Sequence, residues 1–206
     1  MCRRHRRARP FRHLHIHLYY QRGRYADHVR LHARGRLDFW QITTWNNHYS
    51  SNYKIGINIS PIQIEDATFI GKVKEFINET NVNPSWVVFE ITESSALNFQ
   101  ENIVKILSVL SDFRIKVAID DFGTGYSSFI YLKRYSIDYL KIDKIPIDNI
   151  EKDEDKQIVK AIISMTKILK IMTIAEGVET KEQLKILKNL GCDIIQGYYL
   201  GRPVSS

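Results

Sequence analysis

Cysteine is almost absent: Cys2 and Cys192 stand near opposite ends of a 206-residue chain. Two so far apart cannot form a disulfide framework or a thiolate metal site, and Cys192, between Gly191 and Asp193, reads as a small core residue. Long apolar runs are also missing. None approaches the ~20 residues that a membrane-spanning helix needs, so no membrane segment is expected and the default location is cytoplasmic. The arginine-rich start lacks the apolar stretch of a secretory signal. Acid is scarce at the front: residues 1–40 hold 11 Arg, no Lys and only Asp27 and Asp38, a net +9, together with six of the seven histidines. No glutamate precedes Glu65. Residues 41–206 carry 3 Arg and 16 Lys against 21 acids, a net −2, so the basic character belongs to the front end.

That shift divides the chain into an atypical Arg/His-rich segment, 1–40, and a body, 41–206, with the seam near residues 37–41. The segment reads either as foreign or out-of-frame sequence or as a genuine basic arm. Its arginine run, 3–12, carries charge suited to phosphates, but no recognisable binding fold accompanies it, so nucleic acid is not an expected partner. His13, His15 and His17 share one side of a short strand pattern. With no acid or thiol nearby they read as a polar strand face rather than a zinc site.

In the body, short β-branched runs alternate with helix-period segments. Strands are expected at 53–60, 86–92, 115–121, 138–143, 171–176 and 193–198. Helices are expected at about 66–81, through Ile103, Ile106, Leu107 and Leu110, near 129–133, at 153–169 and at 181–190, the last stopped by Gly191. Six such alternations imply a parallel sheet covered by helices. Polar residues interrupt the apolar runs at their C-terminal ends: Asn58, Glu90, Asp120 with Asp121, Lys141, Glu176 and Gln196. In a barrel of parallel strands those ends open onto one face, where such enzymes keep their active sites. The adjacent acids Asp120 and Asp121 should repel each other near an apolar core, so a cation is expected between them, or they lie further out in solvent than their neighbours suggest.

The segments "INIS", "FEITE", "AIDDFGTGYSS", "YLKID", "IAEGVE" and "IQGYYLGRP" resemble, in order and spacing over residues 41–203, the motifs of EAL domains, cyclic di-GMP-specific phosphodiesterases of bacterial second-messenger signalling. The resemblance implies a TIM-type (β/α)8 barrel that hydrolyses cyclic di-GMP to linear pGpG with two divalent ions, Mg²⁺ or Mn²⁺. It implies metal ligands at Asn58, Glu90, Asp120 and Asp121, a general base or water-positioning group at Glu176, and Lys141 contacting the bridging water. Glu179 and Gln196 would complete the metal and substrate site, and Glu93 would anchor the "GTGYSS" loop. Hard oxygen donors suit both ions.

The chain departs from the pattern at its front. It contains no Glu-Ala-Leu triplet, the source of one metal ligand in the family. "HLYYQ" (17–21) is similar to the family's first strand, whereas residues 22–40 match none of its motifs. The barrel is therefore expected to be incomplete at its N-terminal strands, with unpaired edges that favour a homodimer. Two readings follow: a phosphodiesterase impaired by the missing glutamate, or an inactive module that binds cyclic di-GMP or a protein partner.

Overall fold

A computed structural model describes residues 34–98, 100–123 and 132–201. The arginine run, the histidine triplet, the 17–21 strand, the loop at 124–128 and most of the helix expected near 129–133 lie outside the described residues. The elements in chain order are α1 Arg34–Tyr49, β1 Ile55–Asn58, α2 Pro61–Glu65, α3 Phe69–Thr80, a 3₁₀ turn Pro84–Trp86, β2 Val87–Thr92, α4 Glu93–Asn98, α5 Gln100–Asp112, β3 Lys116–Phe122, β4 Tyr139–Ile142, α6 Lys144–Asp148, α7 Asp153–Leu169, β5 Met172–Ala175, α8 Lys181–Leu190 and β6 Ile194–Ile195. The strands pair in parallel, in sequence order from β1 to β6. This is a TIM-type α/β architecture, with six consecutive strands of the barrel among the described residues.

Side-chain alternation gives the sheet two different faces. One face presents Ile55, Phe89, Ile91, Val117, Ile119, Leu140, Ile142 and Ala175 to the helices, where they pack with Val73, Phe76, Leu107, Leu110, Val159 and Leu187 in the main core. The concave face carries a separate, smaller cluster of Val88, Ala118, Tyr139 and Ile174, with Ile194 against it. Helix α1 joins the main core through Phe39 and Ile42. The Phe39 ring stacks near Phe89 and meets Phe76 edge-on, with centroids 6.4 and 6.2 Å apart. The expected seam between residues 40 and 41 falls inside this helix.

Several elements differ from their expected bounds for local reasons. Residues 61–65 form their own helix because Ser60 and Gln63 make a reciprocal capping box and Pro61 suits the first turn. Asp66 then turns the chain, accepting from the Thr68 amide and hydroxyl, so α3 starts at Phe69 rather than near 66. The last two strands are shorter than read: β5 stops at Ala175 and β6 at Ile195, leaving Glu176 and Gln196 just beyond the ladder. Helix α8 ends as expected, with Gly191 in the left-handed region at φ 80°. Cys192 is buried in the core, and burial raises its thiol pKa. No helix among the described residues is long and apolar enough to cross a membrane.

The strand N-termini are tied by a repeated device. Asp138, just before β4, accepts from the Val117 amide at 3.0 Å and the Lys116 ammonium at 2.6 Å on β3. Asp193, just before β6, accepts from the Thr173 amide and hydroxyl on β5 at 2.8 and 3.0 Å. Each carboxylate takes up strand-end donors that the ladder leaves over. Removing Asp138 strands the Val117 amide. Asp138→Ala should therefore lower stability by about 1–3 kcal/mol in urea titration, whereas Lys72→Ala, which breaks only the exposed pair with Asp66, should cost less than about 1 kcal/mol. Equal losses would mean that Asp138 is only a surface charge.

Candidate functional site

The charged residues lie above the small apolar cluster, at the C-terminal ends of the strands. Lys141, on β4 between Leu140 and Ile142 of the helix-facing side, points into the concave face and is fully buried. Its ammonium reaches Glu90 on β2 at 3.0 Å, Asp120 on β3 at 2.9 Å and Glu176 beyond β5 at 2.8 Å. A buried ammonium is strongly destabilised unless charge and hydrogen bonds compensate it. Three carboxylates from three strands supply that compensation here.

The adjacent aspartates are placed by a β-bulge. Ile119 pairs with Leu140 and Phe122 with Ile142, so β3 holds one more residue than β4 over this stretch. Asp120 turns inward to Lys141, Asp121 takes up the extra position at φ 56°, and Phe122 returns to the helix-facing core. The Asp121 amide donates to the Asp120 carboxylate at 3.0 Å. The two acids thus occupy different settings: Asp120 is buried on a cation and Asp121 is exposed. Burial, then the charges of Asp120 and Asp143, push the Asp121 carboxyl above its ordinary value. Burial likewise raises Glu176, partly offset by Lys141.

The remaining sequence-derived residues flank this cluster. Asn58 pairs in register with Glu90 on the same face of the sheet but is exposed. Gln196 follows β6, its amide donating to the Ala175 carbonyl at 2.8 Å and its Oε1 buried without a hydrogen-bond partner among the described residues. Gly197 lets this segment lie against the Val178 backbone, since a Cβ there would stand 2.2 Å from the Val178 N and O atoms. Glu93 opens α4 and accepts from the Gly123 amide at 3.1 Å, where the expected loop begins. Glu179 does not join the cluster. It pairs with Lys144 at 2.6 Å on the rim, both half-exposed. Sequence reasoning passed over Lys144 and Asp143, although both belong to the "YLKIDK" run that supplied Lys141.

The donor set fits a hard divalent cation in kind. Glu90, Asp120, Asp121 and Glu176 bring four carboxylates and Asn58 an amide oxygen, against one ammonium in the mouth. Burial is the first cause of the raised Asp121 and Glu176 carboxyls, and the charges of neighbouring acids add to it. The geometry is that of an ammonium-centred cluster, and among the described residues no three acid, imidazole or thiol side chains are gathered as ready-made ligands.

The family model described as "EAL domain" matches residues 29–203, twelve residues earlier than the resemblance read from the motifs began. The bifunctional diguanylate cyclase/cyclic di-GMP phosphodiesterase MucR of Pseudomonas aeruginosa is 38% identical over 165 residues, 80% of this chain and 24% of that protein. The solved MucR phosphodiesterase–c-di-GMP complex superposes with a TM-score of 0.79 at 36% identity, covering 83% of this chain and 70% of that one. A manganese and cyclic di-GMP complex of Klebsiella pneumoniae BlrP1 gives a TM-score of 0.69 at 26% identity, covering 80% and 45%. The chain spans about a quarter of the length of the curated relatives it matches.

The cluster has a signature in pH. A carboxyl whose folded pKa is raised binds more protons folded than unfolded. It therefore contributes stability below the ordinary carboxylate range that is lost as pH rises through the raised value. In metal-free buffer containing EDTA, the urea midpoint should fall from pH 4 to pH 7 through this contribution, and Glu176→Gln should flatten the fall. An unchanged slope in the variant would remove Glu176 from the buried cluster.

Proposed function

The chain belongs to the EAL domain family, and on that premise we propose that it acts on cyclic di-GMP as a phosphodiesterase domain, opening the ring to linear pGpG. The observation that carries this reading is the fully buried Lys141 ammonium holding Glu90, Asp120 and Glu176 at the strand C-termini, the end of a TIM-type barrel where chemistry is done.

Asn58, Glu90, Asp120 and Asp121 would hold two divalent ions, Mg²⁺ or Mn²⁺. Such ions, when bound, supply Lewis acidity at the phosphoryl oxygens and make water a better nucleophile at neutral pH. The chain's own residues do the rest. Glu176, with its carboxyl raised by burial, accepts the proton of the attacking water. The water oxygen bonds to phosphorus and the bond from phosphorus to the 3′ oxygen breaks; that oxygen leaves with the electron pair and takes a proton from solvent, and the phosphate stays on the 5′ side of the linear product. Lys141 keeps Glu90, Asp120 and Glu176 aligned, and its positive charge offsets charge developing at phosphorus. Gln196, its backbone tied to the Ala175 carbonyl and the Val178 amide, would offer its side-chain oxygen to the same mouth, and Glu93 sets the start of the loop through Gly123.

A second reading is favoured by one sequence fact: no Glu-Ala-Leu triplet occurs, and no glutamate precedes residue 65. A module lacking that carboxylate binds cyclic di-GMP without turning it over. Losing even an outer-shell partner of a metal ligand lowers affinity or activity about 10–100-fold, so hydrolysis by the purified chain with millimolar Mn²⁺ should be at least that much slower than by MucR. Glu176→Ala should abolish what remains while leaving cyclic di-GMP binding intact. Binding without any turnover would select the second reading, and no binding by calorimetry would overturn both. The strands β1 and β6 have no outer partner among the described residues. Such edges recruit another chain, and light scattering should find a dimer; a monomer at high concentration would mean that the edges are covered within one chain.

A further inference from the structure

The floor of the sheet, opposite the charged mouth, carries a second lysine in an unusual setting. Lys54 immediately precedes β1, and its ammonium crosses the concave face to the Tyr139 hydroxyl on β4 at 3.0 Å, passing 5.5 Å from that ring's centre. Its other contact is the Ser85 carbonyl at 3.3 Å. Unlike Lys141, Lys54 has no carboxylate in salt-bridge range among the described residues. Asp138, whose charge acts on it, is taken by Lys116 at 2.6 Å. Both of its hydrogen-bond partners are uncharged, and the residue is only partly buried.

We propose that Lys54 is a modification site at the barrel floor, whose amine is acylated by acyl phosphates in preference to the exposed lysines. The reasons are geometric and electrostatic. The Tyr139 hydroxyl can donate to the lone pair of the neutral amine as readily as it accepts from the ammonium, so loss of the proton leaves Lys54 still hydrogen-bonded. Tyr139 itself stays protonated for this purpose, since burial raises its pKa. Partial burial, then the neighbouring charge of Lys116, favours the neutral nucleophilic form, and Asp138 opposes them only in part. Lys116 also bears on the choice of donor, because its charge acts on the amine and draws an anionic acyl phosphate more than a neutral ester. In the step itself the Lys54 nitrogen bonds to the acyl carbon and the carbon–oxygen bond to phosphate breaks. Phosphate leaves with the electron pair, and the nitrogen's proton passes to solvent.

The amide so formed has lost the ammonium's charge and keeps one N–H, so only one of the two present donor contacts, to Tyr139 or to Ser85, survives unchanged. Acylation therefore alters the brace between the start of β1, the turn before β2 and β4. At the other end of β1 stands Asn58. The site thus offers a covalent handle on the edge strand from the face opposite the charged mouth.

The test is site-resolved mass spectrometry of the full chain during brief exposure to limiting acetyl phosphate. Lys54 should be acetylated several-fold faster than the exposed Lys74, Lys105 and Lys185, with its rate levelling off at lower pH than theirs. The preference should vanish in denaturing urea. Lys116→Met should slow Lys54 and Lys116→Arg should restore it, each variant first checked for native circular dichroism. Neutral p-nitrophenyl acetate should show a smaller preference than acetyl phosphate. Folded-state rates at Lys54 equal to those of the exposed lysines, or a preference that survives in urea, would overturn the proposal. So would full retention of the preference in a folded Lys116→Met chain. Should neither Lys116 variant fold, the wild-type comparison between native and urea conditions decides it alone.

Discussion

One ammonium organises the mouth of this sheet. Lys141 is wholly withdrawn from water, and a lysine in that position persists only if opposite charge is delivered to it in good geometry. The deliveries come from β2, β3 and the end of β5, segments separated in sequence by 30 residues or more. A shift of one residue in any of these strands would turn its carboxylate toward the helices and an aliphatic side chain toward the lysine. The cluster therefore works as a register lock as well as a reactive centre. The apolar layer of Val88, Ala118, Tyr139 and Ile174 below it enforces the same alignment from the other side.

The bulge on β3 follows from the same demand. Without an extra residue, strict alternation from Asp120 would send Asp121 to the helix face and Phe122 into the charged mouth. With it, Phe122 joins the main core, and Asp121 takes a left-handed backbone that aspartate tolerates better than most residues. Bulges gather where a strand must re-aim a side chain, and here one converts "IDDF" into two acids at the mouth flanked by two core anchors. The adjacent acids need no single cation between them, because each has its own setting.

This division explains what was legible in the sequence. The alternation of runs such as "VVFEIT" and "YLKI" marks one face by its aliphatic residues, so the parallel sheet and the inward direction of Lys141 could be read directly. Strand ends could not, because β5 and β6 stop where backbone turns begin, and Gly197 is forced by its approach to Val178, a residue distant in sequence. The bulge was invisible for the same reason: a doubled acid has no period of its own. The expectation that Asp120 and Asp121 share one partner came from reading them as a unit. Glu179 was placed in the mouth by the family resemblance, yet the irregular stretch 176–179 beyond β5 carries it to Lys144 on the rim. The helix across residues 40–41 was obscured because composition changes there while the apolar spacing of Phe39 and Ile42 does not.

The two ends of the sheet solve the problem of buried polarity in opposite ways. At the floor, Asp138 and Asp193 spend their oxygens on strand amides, and Lys54 is left to a phenol and a carbonyl. All of these groups are satisfied locally, which makes that end a stabilising frame. At the mouth, four carboxylates face one ammonium, and burial holds two of them above their ordinary protonation range. Such an excess is a poor way to stabilise a fold, since burial and the charges of neighbouring acids both work against ionisation there. The lock at Lys141 keeps the strands from sliding, and the carboxylate ties at the floor hold the same register. Stability at one end and stored charge at the other are therefore parts of one arrangement, in which the floor holds in place what the mouth would otherwise push apart.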